Sequence, residues 1–516
     1  MYITQALHRD LQCRPDHTAT VFGSRRYTFS QTVDIVARLA GGLRERGVQD
    51  DERVGLLALN SDRFHQAFLA TAWANAVVVP INTRWSVEEI AYALTDASVR
   101  VLFVDDSFRE MAEELRIRCP GLDHLVLCDP EESNPTTTAL EVLPSIESIV
   151  AAASPIPDAH RKGELLAGIF YTGGTTGTPK GVMLSHRNLY VSSAAMAHAA
   201  PFPSDGVILH SAPLFHLGGL SSWIAAGQVG MTQVFVPVFD PLHVFRSVVE
   251  HQITHLMLVP TMIQLLLDHP DADAFDLSSI EQILYGASPM SESLLDKIAA
   301  AMPNARLVQA YGMTELSPTA TILTDADHRD PQLRISVGRA AVHALVKVVD
   351  ADGIEVPRGT FGEIVVAGDH VMIGYWNKSA ETAAAVRDGW MHTGDGGHMD
   401  RNGYLYLSDR IKDMIISGGE NVYSVEVERV IANHPAVAQC AVIAVPDTRW
   451  GERVHAVVVP IPGETLTLNE LALHCRESIG GFKVPRSLEI RSSMPMSGAG
   501  KILKRTLREE SLASEH

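Results

Sequence analysis

Phe170-Tyr171-Thr172-Gly173-Gly174-Thr175-Thr176-Gly177-Thr178-Pro179-Lys180-Gly181-Val182 is the stretch from which the rest of the chain is read. Its glycines remove side-chain bulk, so the backbone can turn sharply and approach a ligand closely. Thr172, Thr175, Thr176 and Thr178 supply hydroxyls, and Lys180 supplies a mobile cation. Hydroxyls, exposed N–H groups and one lysine together suit a polyphosphate. Leu166-Ala167-Gly168-Ile169-Phe170 before the loop reads as a buried strand, and Ser185 after it can cap a helix. The expected arrangement is a loop hanging off a sheet edge.

Composition narrows the surroundings of that loop. A chain of 516 residues with 46% hydrophobic residues can build more than one domain with a large core. The net charge of −19 argues against nucleic acid or an anionic membrane as partner, so a polyanion must be held by local cations and backbone N–H groups. Cys13, Cys119, Cys128, Cys440 and Cys475 are scattered with no Cys-x-x-Cys spacing, which fits a reducing cytoplasm better than a disulfide framework or a zinc ribbon. Arg9 and Asp10 interrupt any leader-like start, and no apolar run reaches the ~18 residues of a membrane span.

Along residues 1–160 strand-like and helix-like segments alternate: Val54–Leu59, a helix from Asp62 to Asn75, Val77–Ile81 and Val101–Val104. That rhythm predicts parallel sheets with crossover helices. Residues 130–162, rich in Pro, Ser, Thr and Glu, read as a surface excursion. The α/β rhythm returns over 205–310, and over about 333–408 short strands with glycine turns predict a β-rich subdomain. After Asp409-Arg410 come a strand, a helix around Val425–Asn433 and further αβ units, enough for a separate domain of about 100 residues.

The loop is not a Walker A motif, because its lysine follows Pro179 and precedes a glycine; Gly500-Lys501-Ile502 lacks the hydroxyl as well. The loop does resemble the phosphate loop of the adenylate-forming superfamily, which includes acyl-CoA synthetases, luciferases and peptide-synthetase adenylation domains. Gly173 stands where the family usually carries serine. The resemblance implies a large N-terminal domain of stacked α/β sheets (1–409, with the β-rich subdomain), a hinge at 410–412 and a small mobile C-terminal α+β domain (413–516).

Further segments carry the resemblance in order. Pro213-Leu214-Phe215-His216 resembles the segment whose histidine borders the carboxylate pocket, and the helix after it, with Gly218, Gly219 and Trp223, resembles the acyl-pocket wall; Gly312, Met313 and Leu316 would complete that wall. Gly286-Ala287-Ser288 and Gln309-Ala310-Tyr311-Gly312-Met313-Thr314-Glu315 resemble the adenine and α-phosphate segments. A small-residue wall admits a flat purine, Tyr311 offers an aromatic face, Thr314 a hydroxyl, and Glu315 a hard oxygen for Mg²⁺. Asp395 and Arg410 resemble the ribose-binding pair. Lys412 stands at the family's hinge position, and Gly418, Gly419 and Glu420 resemble the loop that admits the pantetheine thiol of CoA. Lys501, on a loop with Gly498 and Gly500, resembles the C-terminal catalytic lysine. His251-Gln252-Ile253-Thr254-His255 has metalloprotease spacing, but Gln252 replaces the glutamate and the β-branched residues favour strand, so no zinc protease is expected.

The resemblance implies an ATP- and Mg²⁺-dependent, AMP-forming acid:CoA ligase with Lys501, Thr314, Glu315 and His216 as its catalytic residues. No arginine or lysine occurs in 210–225 to pair a second carboxylate, so an apolar monocarboxylic acid is expected, medium- to long-chain fatty or aryl. The rivals are transfer to a carrier-protein thiol or to oxygen, and a non-catalytic nucleotide sensor. The chain ends soon after the lysine motif, which favours free CoA, and Lys501 with Glu315 argues against a sensor. Monomer and homodimer stay open.

Overall fold

Val77-Val78-Val79-Pro80 shows how the first sheet is built. All four residues are buried, which requires cover on both faces, as in parallel sheets with crossover helices. In this computed structural model the described residues are 1–129, 143–172, 179–288, 290–410, 414–417, 420–447, 449–496 and 502–514, without the side chains of residues 409, 410, 421, 513 and 514. The strands Arg53–Leu57, Val77–Pro80, Val99–Val104 and Leu166–Thr172 run parallel, close to where the apolar runs predict them, and His124–Leu127 adds a further parallel strand. Lys180–Ser185 then pairs antiparallel with Leu166–Thr172, and Gly374–Tyr375 pairs antiparallel with Lys180–Ser185.

The second sheet has nine strands among the described residues, with a parallel centre formed by Gln282–Gly286, His255–Leu258, Val207–His210 and Thr232–Phe235. Arg306–Tyr311 joins this run in parallel beside Gln282–Gly286. One apolar cluster draws on strands of both sheets, with Phe103 and Phe170 from the first and Phe235 and Tyr311 from the second. Helices Phe29–Glu45, Asp62–Trp73 and Leu217–Val229 fill it. Every residue of Asp62–Trp73 is buried, the signature of a helix enclosed between layers. Two of its charged side chains are matched: Asp62 receives Arg25 at 2.6 Å, and Arg63 donates to Gln66 at 2.8 Å.

The β-rich region is an antiparallel sheet of Leu345–Val349, Gly362–Ala367, Trp390–Met399, Val386–Arg387 and Leu405–Arg410. Beyond it, Gly451–Pro460 lies between Val437–Asp447 and the parallel strand Ser487–Ile490, with the helix Ser424–Ala432 packed on an apolar cluster that starts at Ile415. Phe361 and Tyr423 meet across this division, with ring centroids 4.8 Å apart. No helix among the described residues is long and apolar enough to cross a membrane.

One expectation needs correction. The surface excursion over 130–162 holds only in part, and 130–142 lie outside the described residues. Ile146–Ala152 is a helix started by a Ser145/Ser148 capping box, and Ile146 and Ile149 are buried at helical spacing. Ile149 fills the space that a side chain at Gly42 would need, so the segment docks on the helix Phe29–Glu45. Overall polarity masked that apolar stripe. The phosphate loop joins two strands that pair antiparallel, with Thr172 in register with Lys180, and Ser185 at the end of the second strand caps the following helix as expected. Elsewhere, the helix Pro241–His251 stops before the strand His255–Leu258 begins, so the two histidines of that spaced pair lie on different elements.

Candidate active site

The predicted nucleotide segments meet at strand ends. Gly286 and Ala310 are in register at the carboxyl ends of two parallel strands, the usual place for ligands in α/β sheets. Ala287 follows in a left-handed conformation (φ 69°), just past the end of the strand. Tyr311 donates its hydroxyl to Asp395 Oδ2 at 2.8 Å and so ties this sheet to the β-rich region. Asp395 is in register with Arg410 on the neighbouring strand, which juxtaposes the two positions of the predicted ribose pair. Gly312 is required by packing, because a Cβ there would lie 1.9 Å from the Pro318 carbonyl oxygen. Gln309, near the strand's end, lies 3.5 Å from the Tyr285 hydroxyl.

Thr314-Glu315-Leu316 forms a short 3-10 turn that Met313 precedes. Glu315 is buried (7% exposed), and its Oε1 accepts the Tyr375 hydroxyl at 2.8 Å. The Met372 N–H donates to the Glu315 carbonyl at 2.9 Å. Tyr375 also presents its ring face to Lys180, whose Nζ lies 5.1 Å from the centroid. One tyrosine therefore touches both the carboxylate predicted for Mg²⁺ and the lysine that closes the phosphate hairpin. It reaches that place because Gly374–Tyr375 leaves the β-rich region to pair with Val182 and Met183. The Glu315 carboxylate is a hard oxygen donor, the chemistry that suits Mg²⁺.

The acyl side is organised differently. His216 precedes the helix Leu217–Val229, with its ring 4.6 Å from that of Phe215. Asn60 holds this loop: its side chain accepts the Leu214 N–H at 2.9 Å and donates to the Ala212 carbonyl at 2.9 Å. Gly218 faces Met257, whose terminal methyl would lie 3.1 Å from a Cβ there. At Gly219 a Cβ would meet the Pro213 carbonyl oxygen at 2.6 Å, so this glycine serves close packing and leaves no open space. Trp223 also departs from the expected wall. It is 3% exposed, donates its indole N–H to His65 Nδ1 at 2.9 Å and packs edge-on against Phe68. Leu316 is fully buried. Burial pushes the His65 imidazole down to about 3 and His210, nearby, down to about 4, so both are neutral in the core.

Gly173, Gly174, Thr175, Thr176, Gly177, Thr178, Lys412, Gly418, Gly419 and Lys501 lie outside the described residues, as does the side chain of Arg410. Glu420 is exposed at the start of a strand, in register with Ser417. Sequence reading passed over Tyr375 and Asn60, which have no motif of their own. It also passed over Trp450, where Arg486 and Arg449 stack with guanidinium carbons 4.0 and 4.9 Å from the ring centroid. A tryptophan inside an arginine-rich run was the available signal there.

The AMP-binding enzyme family model matches residues 7–376, and the AMP-binding enzyme C-terminal domain model matches residues 426–501. A feruloyl-CoA synthase from Amycolatopsis sp is 37% identical over 508 residues, 97% of each chain. A fatty acid–[acyl-carrier-protein] ligase from Streptomyces coeruleorubidus is 33% identical over 505 residues, 96% of this chain and 94% of the other. The crystal structure of an anthranilate CoA ligase in complex with anthranoyl-AMP superposes with a TM-score of 0.92 at 25% identity, covering 100% of this chain and 98% of that one. With strand-end segments arranged as above and matches over nearly its whole length, the chain belongs to the AMP-binding enzymes, the adenylate-forming family, as an AMP-forming acid:CoA ligase that uses ATP, Mg²⁺ and CoA.

Proposed function

We propose that the acid is an apolar monocarboxylate, medium- to long-chain fatty or aryl, and that the acceptor is the thiol of CoA. The observation that carries the substrate class is the helix Leu217–Val229 with its approach: residues 210–225 contain no lysine or arginine to pair a second carboxylate. The relatives support an aryl or fatty acid, being named for ferulate and fatty acid, and the solved neighbour holds an aryl adenylate. The substrate carboxylate attacks the α-phosphorus of ATP, forming acyl-adenylate and releasing pyrophosphate. The thiol then attacks the acyl carbon and AMP leaves.

In this reading Lys180 and the loop at 172–178 hold the β- and γ-phosphates, Gly286 to Ser288 and Gln309 to Gly312 enclose the adenine, and Asp395 with Arg410 holds the ribose. Glu315 would hold Mg²⁺, which supplies positive charge beside the phosphates when bound, and the Thr314 hydroxyl would contact phosphate. His216 and Gly218 border the acid. Lys501 offsets the repulsion between the two reacting anions, then withdraws as residues 413–516 turn about 410–412 and bring Gly418, Gly419 and Glu420 to the thiol. Trp450 between Arg449 and Arg486 suits a purine carrying phosphates, which supports CoA. The five cysteines are unpaired, in keeping with a cytoplasmic enzyme.

Pyrophosphate release across a panel of acids tests the substrate class; preferential turnover of malonate or succinate would overturn it. The carrier-protein relative gives a second reading of the acceptor, transfer to a carrier thiol. Thioester formation with CoA against a phosphopantetheinylated carrier, measured on one acyl-adenylate, separates the two.

A further inference from the structure

The first helix, Gln5–Cys13, and the segment leading into the strand Leu166–Thr172 meet over a buried carboxylate. The side chain of Asp158 is 0% exposed, and among the described residues its ion-pair partners are two imidazoles. His8 Nε2 lies 2.7 Å and His160 Nδ1 3.7 Å from the same oxygen, Oδ2. Arg161 is close in sequence but is committed elsewhere, to Asp51, Asn75 and the Leu166 carbonyl. A buried carboxylate needs matching positive charge. We propose that His8, Asp158 and His160 form a binding site for a borderline divalent transition-metal ion such as Zn²⁺, separate from the Mg²⁺ that accompanies ATP.

The donor atoms all lie within 4.8 Å of one another. Bonds of about 2.0–2.2 Å in a tetrahedral site put donors roughly 3.2–3.6 Å apart, so small ring rotations close the site. Its members are held by outer partners, as ligating groups are. Thr4 Oγ1 donates to Asp158 Oδ2 at 2.7 Å, and the His160 N–H donates to Oδ1 at 2.9 Å. The His8 ring stacks on Trp73 at 5.0 Å and 22°. His160 has φ 51°, a left-handed turn that brings its ring back over Asp158. Two imidazole nitrogens and one carboxylate oxygen suit Zn²⁺ and its neighbours, whereas Mg²⁺ and Ca²⁺ take oxygen ligands. His8 is 35% and His160 57% exposed, which leaves an entry path and a fourth position for water. Binding replaces the proton that His8 Nε2 donates to Asp158, which goes to solvent, and releases His160 Nδ1 from the Tyr2 hydroxyl, 3.0 Å away, which turns to water.

The test titrates chelator-stripped protein with Zn²⁺ against a chromophoric chelator, with Co²⁺ loading for its visible spectrum. It compares a Cys13→Ser background, since Cys13 is an exposed thiol, with the same background carrying His8→Gln and His160→Gln. The background protein should take up one equivalent, show the intense absorption of four-coordinate Co²⁺ and melt higher with Zn²⁺. The double variant should lose that equivalent, binding at least ~100-fold more weakly. Equal uptake by both proteins, or none by the background at a molar excess of Zn²⁺, overturns the proposal. If the metal-free double variant melts early, His160→Gln alone carries the comparison.

Discussion

Glu315 and Trp223 lie in two regions that are held in opposite ways. On the nucleotide side, polar groups from distant segments bind one another: Tyr311 to Asp395, Tyr375 to Glu315, and Tyr375 to Lys180 through its ring. On the acyl side the polar groups point into the core, where Trp223 meets His65 and Gly219 meets the Pro213 carbonyl. The first arrangement fixes charged groups that, in the proposed reading, face the phosphates. The second fixes the backbone of a helix and leaves the shape of the pocket to packing. Substitutions on the nucleotide side should therefore change rate with little change in stability, and those on the acyl side the reverse.

The largest expected effect is at Lys501. Lys501→Ala should lower acyl-adenylate formation by ~10²–10³ while leaving thioester formation from supplied acyl-adenylate and CoA nearly intact. Single-turnover kinetics of each half-reaction decides. Loss of both with normal melting would end the account in which the lysine serves one orientation only.

Glu315→Gln should follow, with ~10² lost in pyrophosphate release and a raised Mg²⁺ requirement, while binding of the free acid is spared. Near-normal release at limiting Mg²⁺ would remove Glu315 from the metal. Tyr375→Phe keeps the ring face for Lys180 and deletes only the hydroxyl. A hydrogen bond to a carboxylate is worth ~1.5–3 kcal/mol, so release should fall by about 10-fold to 100-fold with the Mg²⁺ requirement shifted in the same direction. A change in ATP affinity with no Mg²⁺ effect would assign the tyrosine to Lys180 instead.

On the acyl side, Trp223→Phe should alter turnover less than about twofold and cost about 1–3 kcal/mol of stability by leaving His65 without its donor. A changed order of preference among acids at unchanged melting temperature would return Trp223 to the pocket wall. The smallest effect is a graded one with pH. His65 and His210 are held neutral by burial, with values near 3 and 4, against about 6.5 in the unfolded chain. Between those values the unfolded state binds more protons. Stability is therefore fully present above about pH 6.5 and declines as pH falls toward 4. His65→Gln should make the melting temperature fall less steeply over that window, and a flat wild-type profile would contradict burial of neutral imidazoles.

The sheets, and the strand ends that carry Gly286 and the Tyr311–Glu315 run, were legible because strand signals rest on local chemistry. Glycine, hydroxyl and lysine cluster where backbone must approach phosphate, and apolar runs of strand length announce buried strands. What local pattern could not decide was which side chains meet. Tyr375 lies 60 residues from Glu315 and reaches it only because a two-residue strand crosses to another sheet. Asn60 is over 150 residues from the loop it holds. Trp223 and Gly219 looked like pocket residues because size and apolarity are the same signal in a wall and in a core. The sequence by itself determined the elements, the order of the segments and the chemistry at the strand ends, since propensity and motif act over a few residues. Only the tertiary structure decided which polar groups became partners and which apolar groups became filling, because burial and hydrogen bonding depend on what the rest of the chain brings alongside.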